Sequence, residues 1–311
     1  MKSLVCSAIL LVLTMVAAAA AQTENQQKTY LLRYQYKPGE TIRWQVEHRS
    51  KVRATVSKST QTTETLSISM KAWRVSEVKP DGTATFEHLV EWVDMRQQLT
   101  GRAEIRYDSR TDKTPPEGYK TAAASVGVPL AVITMDPSGK IVQRKDLRAQ
   151  PKPAPAGDES TDAAAPHENW ITIPLPKEPA AVGESWNIPQ DIDVPLPSGG
   201  VKRIKAVQQF TLEEVKTGVA MIRVATNILT PITDPAIESQ LVQRESAGRI
   251  WFDIDAGRVI RQQLDIDKHV VGFRGDASSI HYVNRFSEKL VADADADADA
   301  EITAEKPTER K

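Results

Sequence analysis

Residues 30–48 read YLLRYQYKPGETIRWQVEH, and apolar and polar side chains alternate on both sides of a Pro38-Gly39 turn. Before the turn, every even position carries a tyrosine or a leucine. After the turn, Ile42, Trp44 and Val46 keep the same alternation. A period of two places one face of a strand on a core and the other in water, as antiparallel sheets allow. This stretch therefore predicts two antiparallel strands.

The same period continues through most of the chain. Further strand patterns lie at residues 66–75, 86–92, 103–107, 128–135, 204–212, 220–228, 250–254, 260–266 and 280–290. Turn signals separate them, as at 80–82, 136–139 and 255–257. A change of phase near Ala72 predicts a β-bulge. The predicted fold class is mostly β, with one or two large curved antiparallel sheets, half-barrel or barrel-like, built from about eleven to thirteen strands.

Helical patterns are few and short. Residues 119–126 are alanine-rich, and residues 235–245 carry Ile237, Leu241 and Val242 at helical spacing. Each of the two could equally be a loop with a single helical turn.

The N-terminus has the three parts of a signal peptide. Lys2 is followed by an apolar run over residues 4–16 and by Ala19-Ala20-Ala21, which fits a small-x-small cleavage site. We expect cleavage between Ala21 and Gln22, and export to the periplasm or the medium. An uncleaved membrane anchor is the alternative, although the run is short for a span of about 30 Å.

Composition excludes several classes of protein. Cys6 is the only cysteine and lies in the predicted signal peptide, so the mature chain is expected to have no disulfide and no thiolate site. With 40 basic and 41 acidic side chains, the chain has no basic excess for binding nucleic acid or anionic membranes. No apolar segment after Ala21 is long enough to cross a bilayer. These features favour a bacterial envelope or secreted protein.

The sequence divides into five regions. They are a signal peptide (1–21), an N-terminal β half (22–146), a Pro/Ala-rich linker or loop (147–169), a C-terminal β half (170–291) and an acidic tail (292–311). The tail repeats Asp-Ala four times, and this composition predicts disorder.

The two β halves repeat an order of features, which suggests a duplication. Chance reuse of turn residues in hairpins is the alternative. The paired features are Gly39-Glu40 before Trp44 and Gly183-Glu184 before Trp186; residues 75–79 before Gly82 and residues 212–216 before Gly218; and Gly101-Arg102 before Tyr107-Asp108 and Gly248-Arg249 before Phe252-Asp253.

In this order, the motifs resemble a domain-of-unknown-function group of secreted bacterial proteins with two Gly-Glu/Asp-x-aromatic halves. The residues that carry the resemblance are Pro38-Gly39-Glu40, residues 128–142, residues 173–176, residues 182–186 and residues 248–257. The resemblance implies a strongly curved antiparallel sheet, similar in general shape to periplasmic half-barrel carriers of the LolA type, which cup acyl chains under a helical lid. The helices predicted for this chain are short and polar for such a lid, and no residue's role carries over.

No familiar catalytic, metal or cofactor motif is present. The histidines form no His-x-x-x-His pair, Gly-x-Ser-x-Gly and phosphate-loop patterns are missing, and no Ser-x-x-Lys is followed by the other penicillin-binding motifs. We therefore expect no catalytic, metal or cofactor residues, and half-buried or surface histidines. The histidines are His48, His88, His167, His269 and His281.

Acidic pairs and tryptophans have structural interpretations. Asp253 with Asp255 and Asp265 with Asp267 are expected on a solvated strand face rather than in a glycosidase site. The 293–304 tail begins like a calcium loop but has alanine at the turn and final ligand positions. Five of the six tryptophans lie in or beside predicted strands, where we expect core packing rather than a ligand platform.

Three hypotheses for the function follow. The first is a non-enzymatic binding or scaffold protein of the bacterial envelope, and the second is a carrier of a lipid or other apolar ligand in a sheet-lined cavity. The third is a hydrolase whose site is assembled from distant strands. A cavity of about 300 Å³ or more distinguishes the carrier from a scaffold with a filled core.

Overall fold

The computed structural model describes residues 28–147, 171–196 and 199–292. The predicted signal peptide with Ala21 and Gln22, nearly all of the predicted linker, and the acidic tail from residue 293 lie outside these ranges. So do His167 and Trp170.

The described residues form a mostly antiparallel β structure, which confirms the predicted fold class. Twelve strands make one sheet in the order β7-β6-β4-β3-β2-β14-β13-β12-β11-β10-β9, with β5 beside β4. The strands of this sheet are β2 (Thr41–Val56), β3 (Ser59–Val78), β4 (Ala84–Leu99), β5 (Ile105–Asp108), β6 (Ala131–Met135), β7 (Ile141–Asp146), β9 (Ser185–Pro195), β10 (Val201–Lys216), β11 (Val219–Ile228), β12 (Ala247–Asp253), β13 (Arg258–Val271) and β14 (Ser279–Val291). A separate two-stranded ladder joins β1 (Thr29–Tyr30) to β8 (Ala180–Ala181).

The two predicted β halves share this sheet. The first half runs outward from β2, the second runs inward from β9, and β2 pairs with β14 along thirteen residues of each strand. One core cluster joins Ile133 and Ile141, near one edge of the sheet, to Phe210, near the other. The sheet is therefore rolled around a shared interior.

The prediction of a strand over residues 30–36 was wrong in part. Only Thr29 and Tyr30 belong to a strand, whereas Leu32, Tyr34 and Tyr36 are buried in the interior without a place in the large sheet. The backbone of this segment bonds to two turns instead: Tyr34 N–H donates to the Pro137 carbonyl (2.8 Å) and Gln35 N–H to the Gly257 carbonyl (3.0 Å). The alternation was real, but it reflects a segment that crosses the end of the rolled sheet. We call residues 31–36 the plug.

Aromatic side chains fill the end of the sheet that holds the plug. Trp73 stacks on Phe86 with ring centroids 4.5 Å apart, and Trp44 meets Trp73 edge-on at 4.8 Å. Tyr34 contacts Phe252 edge-on at 5.5 Å. Such rings each bury about 150–250 Å², and this end is therefore the main core, called the packed end below.

Both predicted helices are present but short. Helix α1 spans Lys120–Ala123 after a 3-10 turn over Glu117–Tyr119, and α2 spans Pro235–Leu241 before a 3-10 turn over Val242–Arg244. Asp234 caps α2, because its carboxylate accepts the Ala236 N–H at 2.8 Å. No helix among the described residues is long and apolar enough to cross a membrane.

The two Gly-Glu turns have the same geometry. In each turn the glycine N–H donates to the carbonyl of a strand residue, Val75 for Gly39 and Leu212 for Gly183, and that residue's N–H returns a bond to the following glutamate's carbonyl. A register shift follows each strand residue, between Val75 and Glu77 and between Leu212 and Glu214. These features agree with the predicted duplication, which stays a hypothesis. A further register shift, between Met70 and Lys71, lies close to the bulge predicted near Ala72.

Candidate ligand-binding site

Above the packed end, the rolled sheet surrounds a partly open cavity of about 460 Å³. Every strand of the large sheet except β5 and β6 contributes a side chain to its wall, because the inward positions of neighbouring strands fall side by side in the ladder. The strand residues that line it are Val46, His48, Ser69, Lys71, His88, Val90, Arg144, Gln190, Gln208, Phe210, Val224, Thr226, Ile250, Gln262, Leu264, Ile266, Tyr282, Asn284, Phe286 and Glu288.

Residues 171–174 complete the wall between the two edges of the sheet. The Trp186 indole on edge strand β9 donates to the Pro174 carbonyl at 2.8 Å. Leu175 N–H donates to the Ser138 carbonyl in the turn between β6 and β7 (2.8 Å), so the same segment is also held at the other edge. The Tyr34 hydroxyl donates to the Ile173 carbonyl at 3.0 Å. Burial raises the pKa of Tyr34, which keeps this phenol neutral.

The floor of the cavity is a buried ion pair on the aromatic core. The Lys71 ammonium pairs with Oε1 of Glu288, and the Gln262 amide donates to the other carboxylate oxygen. The Glu288 side chain is only 4% exposed. The Lys71 ammonium also lies 4.6 Å from the Trp44 ring centroid and 5.1 Å from that of Trp73. Each charge of the floor therefore has a partner, so the floor adds no net charge.

His88 lies beside this ion pair as a neutral imidazole. The Trp73 indole N–H donates to Nδ1 of His88 at 3.1 Å, and the proton of the neutral ring is therefore on Nε2. Burial, together with the positive charges of Lys71 and Arg144, lowers the pKa of His88 to about 3.

An apolar band surrounds the middle of the cavity. In the ladder, Phe286 is opposite Leu264, and Val224 is opposite Phe210, so these four side chains form two apolar pairs in the cavity wall. Val46 adds to the band from β2. Such a lining suits the hydrocarbon part of a small molecule.

The upper wall carries polar atoms that the described residues do not satisfy. Three such atoms belong to cavity-lining residues: His48 Nε2, Asn284 Oδ1 and Gln190 Nε2. Asn284 and Gln190 are 6% and 8% exposed. Burial lowers the pKa of His48, and the neighbouring Asn284 amide opposes part of this shift. Buried polar groups normally have hydrogen-bond partners, as those of the floor do. The three atoms of the upper wall differ from the floor in lacking such partners.

Helix α2 and the turn after it lie across the end of the sheet opposite the plug. Ile237 and Leu241 pack on Val194 and Ile204 of β9 and β10. Val242 packs instead with Ile266, Val270 and Tyr282 of β13 and β14. The following residues Gln243, Arg244 and Ser246 line the cavity. The segment therefore bridges two parts of the rolled sheet and forms a short cover at this end.

Several histidines and aspartates that the sequence analysis singled out lie outside the cavity and make local contacts. His269 and His281 lie opposite one another on β13 and β14, with ring centroids 5.7 Å apart. His281 bonds Asp267 at 2.7 Å, and Asp265 pairs with Arg285 at 2.6 Å. Asp253 accepts the Ala256 N–H of its own turn (2.8 Å). No group of three or more His, Cys, Asp or Glu side chains within residues 28–147, 171–196 and 199–292 could hold a metal ion.

Sequence reasoning missed the residues of the cavity, including His48 and His88. Their positions in the alternation place them on the inward face, but periodicity does not distinguish a packed inward position from one that lines a cavity. One signal was available: the inward positions change from large aromatics to Ser69, His48, Gln208, Thr226 and Asn284 along the strands.

Comparisons with known proteins add little. No protein-family model and no curated protein matches the sequence. A solved structure titled for lipid–protein interactions in lipovitellin aligns with 83% of this chain at 11% identity and a TM-score of 0.40. The alignment covers 26% of the lipovitellin chain, so the present chain corresponds to about a quarter of that protein. A resemblance of this degree carries no inference about function.

Proposed function

We propose that this protein is an exported, non-enzymatic binding protein that holds a small amphipathic molecule in the sheet-lined cavity. The observation that carries the proposal is the cavity itself: about 460 Å³, lined by an apolar band and bordered by residues 171–174 and by the turn after α2. Ligand pockets have volumes of about 300–1,000 Å³ and mostly apolar walls with a few polar groups.

The distribution of polar groups supports an amphipathic ligand rather than a purely apolar one. At the floor, Lys71, Glu288 and Gln262 satisfy one another. At the upper wall, His48, Asn284 and Gln190 each have an unsatisfied buried atom. A ligand with an apolar body and at least one hydrogen-bonding group matches both regions.

Dye binding tests the cavity as a ligand site. The neutral dye phenylnaphthylamine, which fluoresces in apolar surroundings, should bind the full chain with a stoichiometry of one. Val46, a half-buried residue of the cavity wall, is the position to block. Val46→Trp should fill the cavity and weaken dye binding by about tenfold or more.

The matched control is Val271→Trp. Val271 is on β13 and 63% exposed, so the same change leaves the cavity open. Equal dye affinity of both variants and the wild type would show that the dye binds elsewhere, and the cavity would lose its proposed role.

Export is the second part of the proposal and has its own test. It is supported by the basic start, apolar run and alanine site of residues 1–21. Mass spectrometry of the protein from a host envelope fraction should give a chain that begins at Gln22. A chain that retains residues 1–21 there would overturn cleavage at this site.

A further inference from the structure

Two of the unsatisfied atoms in the cavity, His48 Nε2 and Asn284 Oδ1, belong to neighbouring strands. His48 on β2 is directly opposite Phe286 on β14, and Asn284 comes two residues before Phe286, on the same inward face. A diagonal pair of this kind is within reach of a single small group. The two side chains therefore form one polar position at the upper wall.

Nearby protein groups do not form hydrogen bonds with the two atoms of this polar position. Ser50 is the cross-strand neighbour of Asn284, but its hydroxyl bonds Oγ1 of Thr65 on β3 at 2.7 Å. Among the described residues, no group makes a hydrogen bond to Asn284 Oδ1 or His48 Nε2, although the Asn284 amide lies close enough to His48 to raise its pKa. A buried acceptor without a donor costs free energy, so a ligand that supplies the donor gains affinity.

The chemistry of the two atoms restricts the ligand group. Asn284 Oδ1 only accepts hydrogen bonds, so the ligand must donate to it, and an ionised carboxylate or phosphate cannot do so. His48 is kept neutral by burial, and its Nε2 either donates or accepts one bond. A hydroxyl both donates and accepts, so it can satisfy the two atoms together.

We propose that the cavity binds a hydroxyl-bearing amphiphile whose O–H donates to Asn284 Oδ1 and whose oxygen meets His48 Nε2. The apolar body of this ligand lies along Phe286 and Leu264, which border the two polar side chains in the ladder. This inference rests on the proposed function, because it names the ligand class of the same cavity.

A matched pair of ligands tests the hydroxyl directly. Decanol and decyl methyl ether have similar chains, but only the alcohol donates a hydrogen bond. Isothermal titration calorimetry of the full chain should show binding of decanol about five- to tenfold tighter than of the ether. Asn284→Leu, which keeps the size of the side chain, should remove this preference and still bind both ligands.

Asn227→Leu is the control, because Asn227 lies exposed on β11 and does not line the cavity. It should keep the preference of the wild type. If the wild-type protein binds both ligands equally, or if Asn284→Leu keeps the preference, the hydroxyl assignment is wrong although the cavity still binds ligands. If phenylnaphthylamine, decanol and the ether all fail to bind, the proposed function itself fails. The wild-type ratio decides the assignment even if Asn284→Leu does not fold.

Discussion

The two ends of the rolled sheet are built from the same strands and are filled in opposite ways. At the packed end, the inward positions carry Trp44, Trp73 and Phe252, and the plug closes the remaining space. Three or more residues further along the same strands, the inward positions carry His48, Ser69 and other short or polar side chains that line the cavity. The packed core and the cavity thus occupy opposite ends of the same strands.

This difference explains how a chain can keep a cavity without losing its fold. The apolar burial that stabilises the sheet is concentrated at the packed end, where the centroids of neighbouring rings lie 4.5–6.3 Å apart. The cavity end can then retain polar atoms without partners. Substitutions at the two ends should therefore affect different properties, and the following predictions test that separation.

The largest expected effect is on stability at the packed end. Trp73 is 1% exposed and lies between Phe86 and Trp44. Trp73→Ala should lower the free energy of unfolding by about 3–5 kcal/mol, because it removes a buried ring and leaves a void. Urea denaturation measures the change. Trp251→Ala, which removes a partly buried ring stacked on Arg261, should cost clearly less. Similar losses would show that stability is not concentrated at the packed end.

The ion pair of the floor comes next. Glu288→Gln leaves the Lys71 ammonium buried without its counter-charge and should cost about 3 kcal/mol. Adding Lys71→Met should recover much of this loss, because the unpaired charge is then gone. Asp193→Asn, at an exposed pair with Arg203, should change the free energy of unfolding far less, because water and salt screen such a pair. Chemical denaturation of the wild type, Lys71→Met and the three variants above tests this, and additive effects of the two floor substitutions would contradict a coupled pair.

A pair of glycine substitutions compares the closure of the cavity wall with an open turn. Gly139 and Gly39 both have positive φ, +88° and +81°. A Cβ added at Gly139 would lie 2.8 Å from the Ile173 carbonyl oxygen, whereas a Cβ added at Gly39 would have no other atom within 4 Å. Gly139→Ala should cost about 2–3 kcal/mol and Gly39→Ala about 1 kcal/mol. Thermal unfolding measures both, and equal costs would mean that residues 171–174 are not held tightly at this edge.

The last prediction concerns the dependence of stability on pH. The folded-state pKa of His88 is about 3, below its ordinary value of 6.5, so between these values the unfolded chain binds a proton that the folded chain excludes. The contribution of His88 to stability is complete above pH 6.5 and falls as the pH decreases toward 3. The expected slope is about 1 kcal/mol per pH unit. His88→Gln should flatten the dependence of the urea midpoint on pH in this window; an unchanged slope would contradict a neutral, buried His88.

The sequence allowed the fold class and the hairpin turns to be predicted, because each depends on local periodicity and turn chemistry, and it marked both short helices as candidates without deciding between a helix and a loop. Alternation over residues 30–36 led to a wrong strand, since a segment that crosses a core buries every second side chain just as a strand does. Whether such a segment joins the sheet depends on partners far away, such as Pro137 and Gly257.

The candidate site could not be predicted for a related reason. His48, Asn284 and Gln190 lie on β2, β14 and β9, which are distant in sequence and meet only when the sheet is rolled. A search for linear motifs finds the sites of familiar enzymes. It does not find a cavity whose wall comes from nearly every strand, because such a wall leaves no linear motif. The decrease in side-chain size along the inward faces was the available signal, and its meaning requires the register of the strands.

The most direct measurement for the central claim is native mass spectrometry of the protein from its own host, comparing the wild type with Val46→Trp. The wild-type protein should carry one equivalent of a small hydroxyl-bearing amphiphile, and the variant, with indole in the cavity, should carry none. An unliganded wild-type protein, or the same adduct on both proteins, would contradict a ligand site in the interior of the sheet.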